Sequence, residues 1–256
     1  MIRAVLFDLG GTLHTSSNSP ERKLWFAERL LRRLSDYGIG LDMSPEALSA
    51  QLDRNAEIYK HESERSLAEL PPEAVWNDYY LKEQSIGFEH LSPIAEELSF
   101  LYDYERVCNL RRPHLTACMD TLKGMGLRLG IISNIISRSI VPHFLQEYGL
   151  AGSMDCVLTS AGTGIRKPSP EIFRIAEREL GLGPESLCYV GDTLSRDVLG
   201  ARNAGWRMVI QIHNPGTKHR DQGLQNSGLA PDFYIHDLME VCAILKGEIR
   251  TEGGST

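Results

Sequence analysis

The run Ile2–Phe7 (IRAVLF) is almost continuously apolar, stops at Asp8 and is followed at once by Gly10-Gly11. A strand with one wet face alternates polar and apolar residues, so an unbroken run reads as a strand buried on both faces, and glycines directly after it read as a tight turn. Burial on both faces calls for helices above and below a parallel sheet, which restricts the fold class more than any other stretch does. The same texture returns after Arg111-Arg112-Pro113. Leu127–Ile132, Cys156–Leu158, Leu187–Val190, Met208–Ile212 and Phe233–Ile235 all read as short buried strands, with helices fitting between them, for example from Pro170 to Leu180 and from about Ser195 to Ala204. The expectation is an α/β chain with a doubly wound parallel sheet, its ligand site at the carboxyl ends of the strands.

Between Ser19 and about Arg106 strand signals vanish and apolar residues recur at helical spacing. Ser19-Pro20, Ser44-Pro45, Pro71-Pro72 and Ser92-Pro93 each place a capping residue or proline where a helix should begin, and Gly38 marks the end of the first. This predicts residues 1–15 and 107–247 as the α/β core, 16–106 as an inserted helical unit, and 248–256 as a flexible polar tail. The connections near 15–19 and 107–113 are the expected hinges.

Composition narrows the function. A net charge of −7 without any Lys/Arg block argues against nucleic acid as the main partner. No apolar run approaches the ~20 residues needed to span a bilayer, and no leader precedes the first strand, so no membrane partner and a cytoplasmic, reducing location are expected. The five cysteines are widely spaced and odd in number, which reads as buried free thiols. Nothing in the sequence bears on oligomeric state.

Four polar clusters sit just beyond expected strands: Asp8-Leu9-Gly10-Gly11-Thr12, Ser133-Asn134, Lys167-Pro168 before a helix, and Gly191-Asp192-Thr193-Leu194-Ser195-Arg196-Asp197. Alone, each has an ordinary structural explanation as turn formers, a solvated lysine or a helix-dipole partner. Together and in order they converge on one edge of the sheet. The eight histidines have no ligand spacing; His14, the one near Asp8, is assigned a non-catalytic role.

With these clusters the chain resembles the haloacid dehalogenase (HAD) superfamily, with a helical cap between the first and second motifs and a Rossmann-like core. The resemblance covers nearly the whole length. It implies a hydrolase of phosphoric monoesters acting on a small phosphorylated metabolite, with Asp8 attacking phosphorus to give an aspartyl-phosphate that water hydrolyses. It implies Mg2+ bound by Asp8, the Gly10 carbonyl, Asp192 and Asp197, the last directly or through water. It further implies that Lys167 and Ser133 act at the catalytic centre, and that Gly11, Thr12, Ser133, Asn134 and Lys167 bind the phosphoryl group, partly through backbone amides.

One position departs from the pattern. Phosphatases of the superfamily carry a second Asp two residues after the nucleophile, to protonate the leaving group and then deprotonate water, whereas this chain has Gly10. Glycine keeps the metal-binding carbonyl and removes the proton shuttle, a group contributing typically about 10²–10⁴-fold. Reduced turnover and a preference for esters with good leaving groups are the expectation. The alternatives are a phosphonate-cleaving or dehalogenating hydrolase, since those relatives also lack the second Asp, or a catalytically weak binding or regulatory protein. A complete acidic motif argues against the dehalogenase branch. Lys23, Lys60 and Lys82 are the lysines of the inserted segment that a phosphonate-cleaving mechanism would need to call on.

Overall fold

A computed structural model describes residues 1–224 and 227–253. Its strands are β1 (Ala4–Phe7), β2 (His14–Ser17), β3 (Cys108–Arg111), β4 (Arg128–Ser133), β5 (Cys156–Thr159), β6 (Leu187–Gly191), β7 (Met208–Ile212) and β8 (Phe233–Ile235). Six of them form one parallel sheet in the order β5-β4-β1-β6-β7-β8, with Val5 opposite Leu129 on one side and Cys188 on the other. The doubly wound α/β expectation holds, and each expected core strand is present to within two residues at its ends.

The burial on both faces is explicit in β1. Val5 and Phe7 point into one apolar layer with Leu129, Ile131, Val190 and Ile210, under the helices Leu115–Gly124, Ile140–Glu147 and Met239–Gly253. Ala4 and Leu6 point the other way, into a layer with Ile132, Tyr189, Phe173 and Trp206 under the helix Pro170–Leu180. Because successive strand residues face opposite sides, a continuous apolar run is the only pattern that fills both layers.

Residues between β2 and β3 are helical and pack around a separate apolar cluster that includes Phe26, Leu30, Leu52, Trp76 and Leu98. The Ser19 Oγ accepts from the Arg22 amide and the Ser44 Oγ from the Ala47 amide, both at 3.2 Å, starting the helices Pro20–Asp36 and Pro45–Ser66. Each cap is worth about 1 kcal/mol. The third expected helix is a single turn, Pro72–Val75, continued by the π-turn Trp76–Tyr80; the fourth begins as a 3₁₀ turn at Ser92 and runs as Ala95–Glu105.

Three features differ from the sequence reading. β2 and β3 pair antiparallel, His14 opposite Arg111 and Ser17 opposite Cys108. Their residues are polar or exposed, so no apolar pattern announces the ribbon. The final helix continues to Gly253 where a tail was expected from 248, anchored by Val241, Cys242 and Leu245, which are buried in the core; residues 254–256 lie outside the described residues. Four of the free cysteines are buried as expected, while Cys108 is exposed on the ribbon. Among the described residues no helix is long and apolar enough to cross a membrane.

Candidate active site

Since β4, β1 and β6 are adjacent and parallel, their carboxyl ends bring together residues far apart in sequence. Asp8 follows β1, Ser133 ends β4, and Gly191-Asp192 ends β6. They open into a cavity of about 680 Å³ whose lining includes Asp8, Gly10, Ser133, Lys167 and Asp192. Two glycines permit this convergence. Gly11 has φ +93°, and a Cβ on it would collide with the Asp192 carboxylate; a Cβ on Gly191 would collide with Asp197.

Lys167 is the hub. Its Nζ donates to Asp8 Oδ1 at 2.9 Å, to Asp197 Oδ1 at 2.7 Å and to the Tyr189 hydroxyl at 2.7 Å, and the residue is only 3% exposed. Burial would discharge an isolated ammonium, but the charges of Asp197 and Asp8 outweigh it and raise the Lys167 pKa. Asn134 holds the lysine backbone at two points: its Nδ2 donates to the Lys167 carbonyl at 2.9 Å and its Oδ1 accepts from the Lys167 amide at 2.8 Å. The Asn134 side chain thus positions Lys167.

Asp197 faces inward. Its Oδ1 accepts from Lys167 and, at 3.3 Å, from Tyr189; its Oδ2 accepts from the Asp192 and Thr193 amides at 3.2 and 3.0 Å and from the Thr193 hydroxyl at 2.7 Å. Burial pushes its pKa up, yet Lys167 and the Thr193 donors prevail and hold it below the ordinary carboxylate value. Both Asp197 oxygens carry hydrogen bonds, and one of them lies within 4.8 Å of oxygens of Asp8 and Asp192, so the metal role that the resemblance implied, direct or through water, keeps its candidate. Asp197 also organises the loop and the lysine.

Asp192 is different. Oδ2 accepts from Asn214 Nδ2 at 2.7 Å and from the Thr217 hydroxyl at 2.8 Å. Burial and the charges of Asp197 and Asp8 push its pKa up to about 7. Burial also raises Asp8, opposed by Lys167. One oxygen from each of Asp8, Asp192 and Asp197 can be chosen such that all lie within 4.8 Å of one another. Three buried carboxylates gather around the Lys167 ammonium, with Arg112 and Arg220 acting on Asp192 from farther off, and a divalent cation would offset the negative charge that remains.

The glycine-turn amides behave otherwise than expected. The Gly11 amide donates to the His14 carbonyl at 2.7 Å and the Thr12 amide to Leu9 at 3.3 Å. Thr12 is fully buried, its hydroxyl has no hydrogen-bond partner among the described residues, and it is not among those that line the cavity. Both amides are committed to bonds within the turn, while Gly11, Ser133, Asn134 and Lys167 line the cavity. Lys23 and Lys60 pair with Asp53 and Glu57, and neither these two nor Lys82 lines the cavity at Asp8.

Asn214 and Thr217 were missed, although they follow the strand Met208–Ile212 as a fifth polar cluster of the same kind. Tyr189 was missed because a single polar tip inside an apolar strand leaves no periodic signal. His14 is 3% exposed, yet lines the cavity beside Gly10. Burial and the nearby Arg112 lower its pKa to about 4, so the ring is uncharged at neutral pH.

Residues 2–205 match the family model of haloacid dehalogenase-like hydrolases. A glyceraldehyde 3-phosphate phosphatase of Methanopyrus kandleri is 27% identical over 255 residues, covering 96% of this chain and 98% of its own. The crystal structure of a HAD phosphatase from Thermococcus onnurineus superposes with a TM-score of 0.61 at 26% identity, over 96% of this chain and 99% of that one. A 2-haloacid dehalogenase from Pseudomonas syringae superposes at 0.66 and 22% identity, over 97% and 100%, a likeness of fold.

Proposed function

The chain belongs to the haloacid dehalogenase-like hydrolase family, and from that premise we propose that it is a magnesium-dependent phosphatase of small phosphorylated metabolites with Asp8 as nucleophile. The observation that carries the reading is the asymmetric electrostatics around Asp8: a fixed ammonium on one side and, on the other, Asp192, whose pKa burial and the neighbouring carboxylates push up to about 7. Lys167 fixes one Asp8 oxygen, leaving the other to attack phosphorus and form the aspartyl-phosphate. Lys167 would also offset the charge that gathers on the phosphoryl oxygens, and the Ser133 hydroxyl, on a residue that lines the same cavity, would donate to them.

The residues present fit a divalent cation. Asp8, Asp192 and the Gly10 carbonyl would hold magnesium, with Asp197 steadying the Asp192 loop through its hydrogen bonds. When bound, the ion supplies the positive charge that lets an anionic nucleophile meet an anionic ester. We further assign the helical residues 16–106 as a cap that excludes water from this charged cavity. Glu64 of this segment pairs with Arg196 of the acidic loop, and Glu69 with Arg166 beside Lys167.

The test is phosphate release from a panel of small phosphate esters, including aldehyde and polyol phosphates, with and without magnesium, using Asp8→Asn as the blank. The expected result is metal-dependent release that falls to background in the variant. Equal rates from the two proteins would instead assign the fold a binding role.

A further inference from the structure

A phosphate monoester of an ordinary alcohol leaves as an alkoxide, which needs a proton, and neither Asp8 nor Lys167 is placed to give one, since both are bound to each other. A side chain at position 10 would start out beside a ring from elsewhere in the turn. A Cβ built on Gly10 would have one neighbour within 4 Å outside its adjoining residues: His14 Nε2, at 3.8 Å. At the other ring nitrogen, the buried Tyr148 hydroxyl lies 2.9 Å from Nδ1. A phenol with that nitrogen as its polar partner donates to it, which puts the ring proton on Nε2, the edge facing the cavity. The ring is held in place by Phe144, with centroids 4.6 Å apart, and by the Gly11 amide bonded to the His14 carbonyl.

We propose that His14, oriented by Tyr148, is the proton donor to the leaving oxygen, from its place in the cavity lining beside Gly10. The inference rests on Asp8 being the nucleophile. As the Asp8–phosphorus bond forms and the bond to the leaving oxygen breaks, the Nε2 proton passes to that oxygen and the Tyr148 proton follows to Nδ1. The alcohol departs neutral, the imidazole ends neutral as its other tautomer, and Tyr148 holds the negative charge beside Arg111, whose guanidinium lies 5.7 Å from the ring centre. Burial and Glu147 raise the Tyr148 pKa, yet an alkoxide is the stronger base and the transfer runs downhill. When water attacks the aspartyl-phosphate, its proton goes to Nε2 and the Nδ1 proton returns to Tyr148, restoring the starting state.

The experiment compares kcat/KM, which reports events up to departure of the alcohol, for a simple alkyl phosphate and for p-nitrophenyl phosphate, whose leaving group needs no donor. His14→Gln should lower the alkyl value by about 10²-fold or more and the aryl value by less than about threefold. Tyr148→Phe keeps the ring packing and should give the same selective loss, about tenfold, and it decides the matter if the His14 variant does not fold. Equal losses on both esters would mark a structural role and overturn the proposal, and so would no loss on either, which would leave activated esters as the preferred substrates. If p-nitrophenyl phosphate turnover depends on Asp8 while the ester ratio ignores both variants, only the His14 assignment is lost. If turnover does not depend on Asp8, the nucleophile assignment fails and this one falls with it.

Discussion

The two flanks of Asp8 are built on opposite principles. Toward Lys167, every polar atom is matched: the ammonium has three acceptors, Asp197 accepts from five donors, and Asn134 ties down the lysine backbone. Toward Gly10 and Asp192, the groups are under-matched, with a carboxylate raised to about 7 and a histidine edge facing open space. The closed flank resembles a protein interior and fixes geometry; the open flank resembles a binding site, where the proposed cation and substrate would sit. Stability and chemistry are thus divided between two sides of one side chain, and substitutions on each should separate accordingly.

The largest effect should come from the closed flank. Asp197→Ala leaves a buried ammonium half-paired and two loop amides without acceptors, and should cost about 3–5 kcal/mol in urea unfolding. A cost below about 1 kcal/mol would show that the network is not what holds the flank. On the open flank, Asp192→Asn should leave unfolding of the metal-free protein nearly unchanged, since an amide oxygen still accepts from Asn214 and Thr217. It should weaken magnesium binding, read by calorimetry, by about 10–100-fold or more. Unaltered affinity would move the metal elsewhere.

The smallest effect concerns acid. The unfolded chain protonates His14 near 6.5, whereas the folded protein resists until about 4. A group lowered in the folded state contributes stability above its unfolded pKa, and that contribution is lost as pH falls from 6.5 through about 4. His14→Gln should therefore flatten the decline in Tm over that interval by about 2–4 °C. A parallel decline in both proteins would place the acid sensitivity in other groups.

The closed flank was legible in sequence only as a list of residue types. Asp8 and Asp192 announce themselves because each follows an apolar strand and parallel strands deliver their ends to one edge, and Lys167 does so by standing before the helix Pro170–Leu180. Whether Asp197 faces a metal or a lysine depends on which way a short π-turn, Leu194–Val198, aims its carboxylate, and no spacing encodes that. His14 shows the opposite limit. Its closeness to Asp8 was plain, but its relevance depends on Tyr148, 134 residues away, and on an absent side chain at position 10. A missing group leaves no pattern; only packing reveals what fills the space.

The short ribbon formed by His14–Ser17 and Cys108–Arg111 has a consequence for descent. The outgoing and returning strands lie side by side, joined also by Ser16 Oγ donating to Asn109 at 2.6 Å. Whatever hangs between Ser17 and Cys108 therefore needs only to begin and end one strand spacing apart, about 5 Å. A foreign segment of any length that meets this requirement could be grafted onto the stem without displacing Asp8, which makes the ribbon a socket through which selectivity can be exchanged while the chemistry stays put.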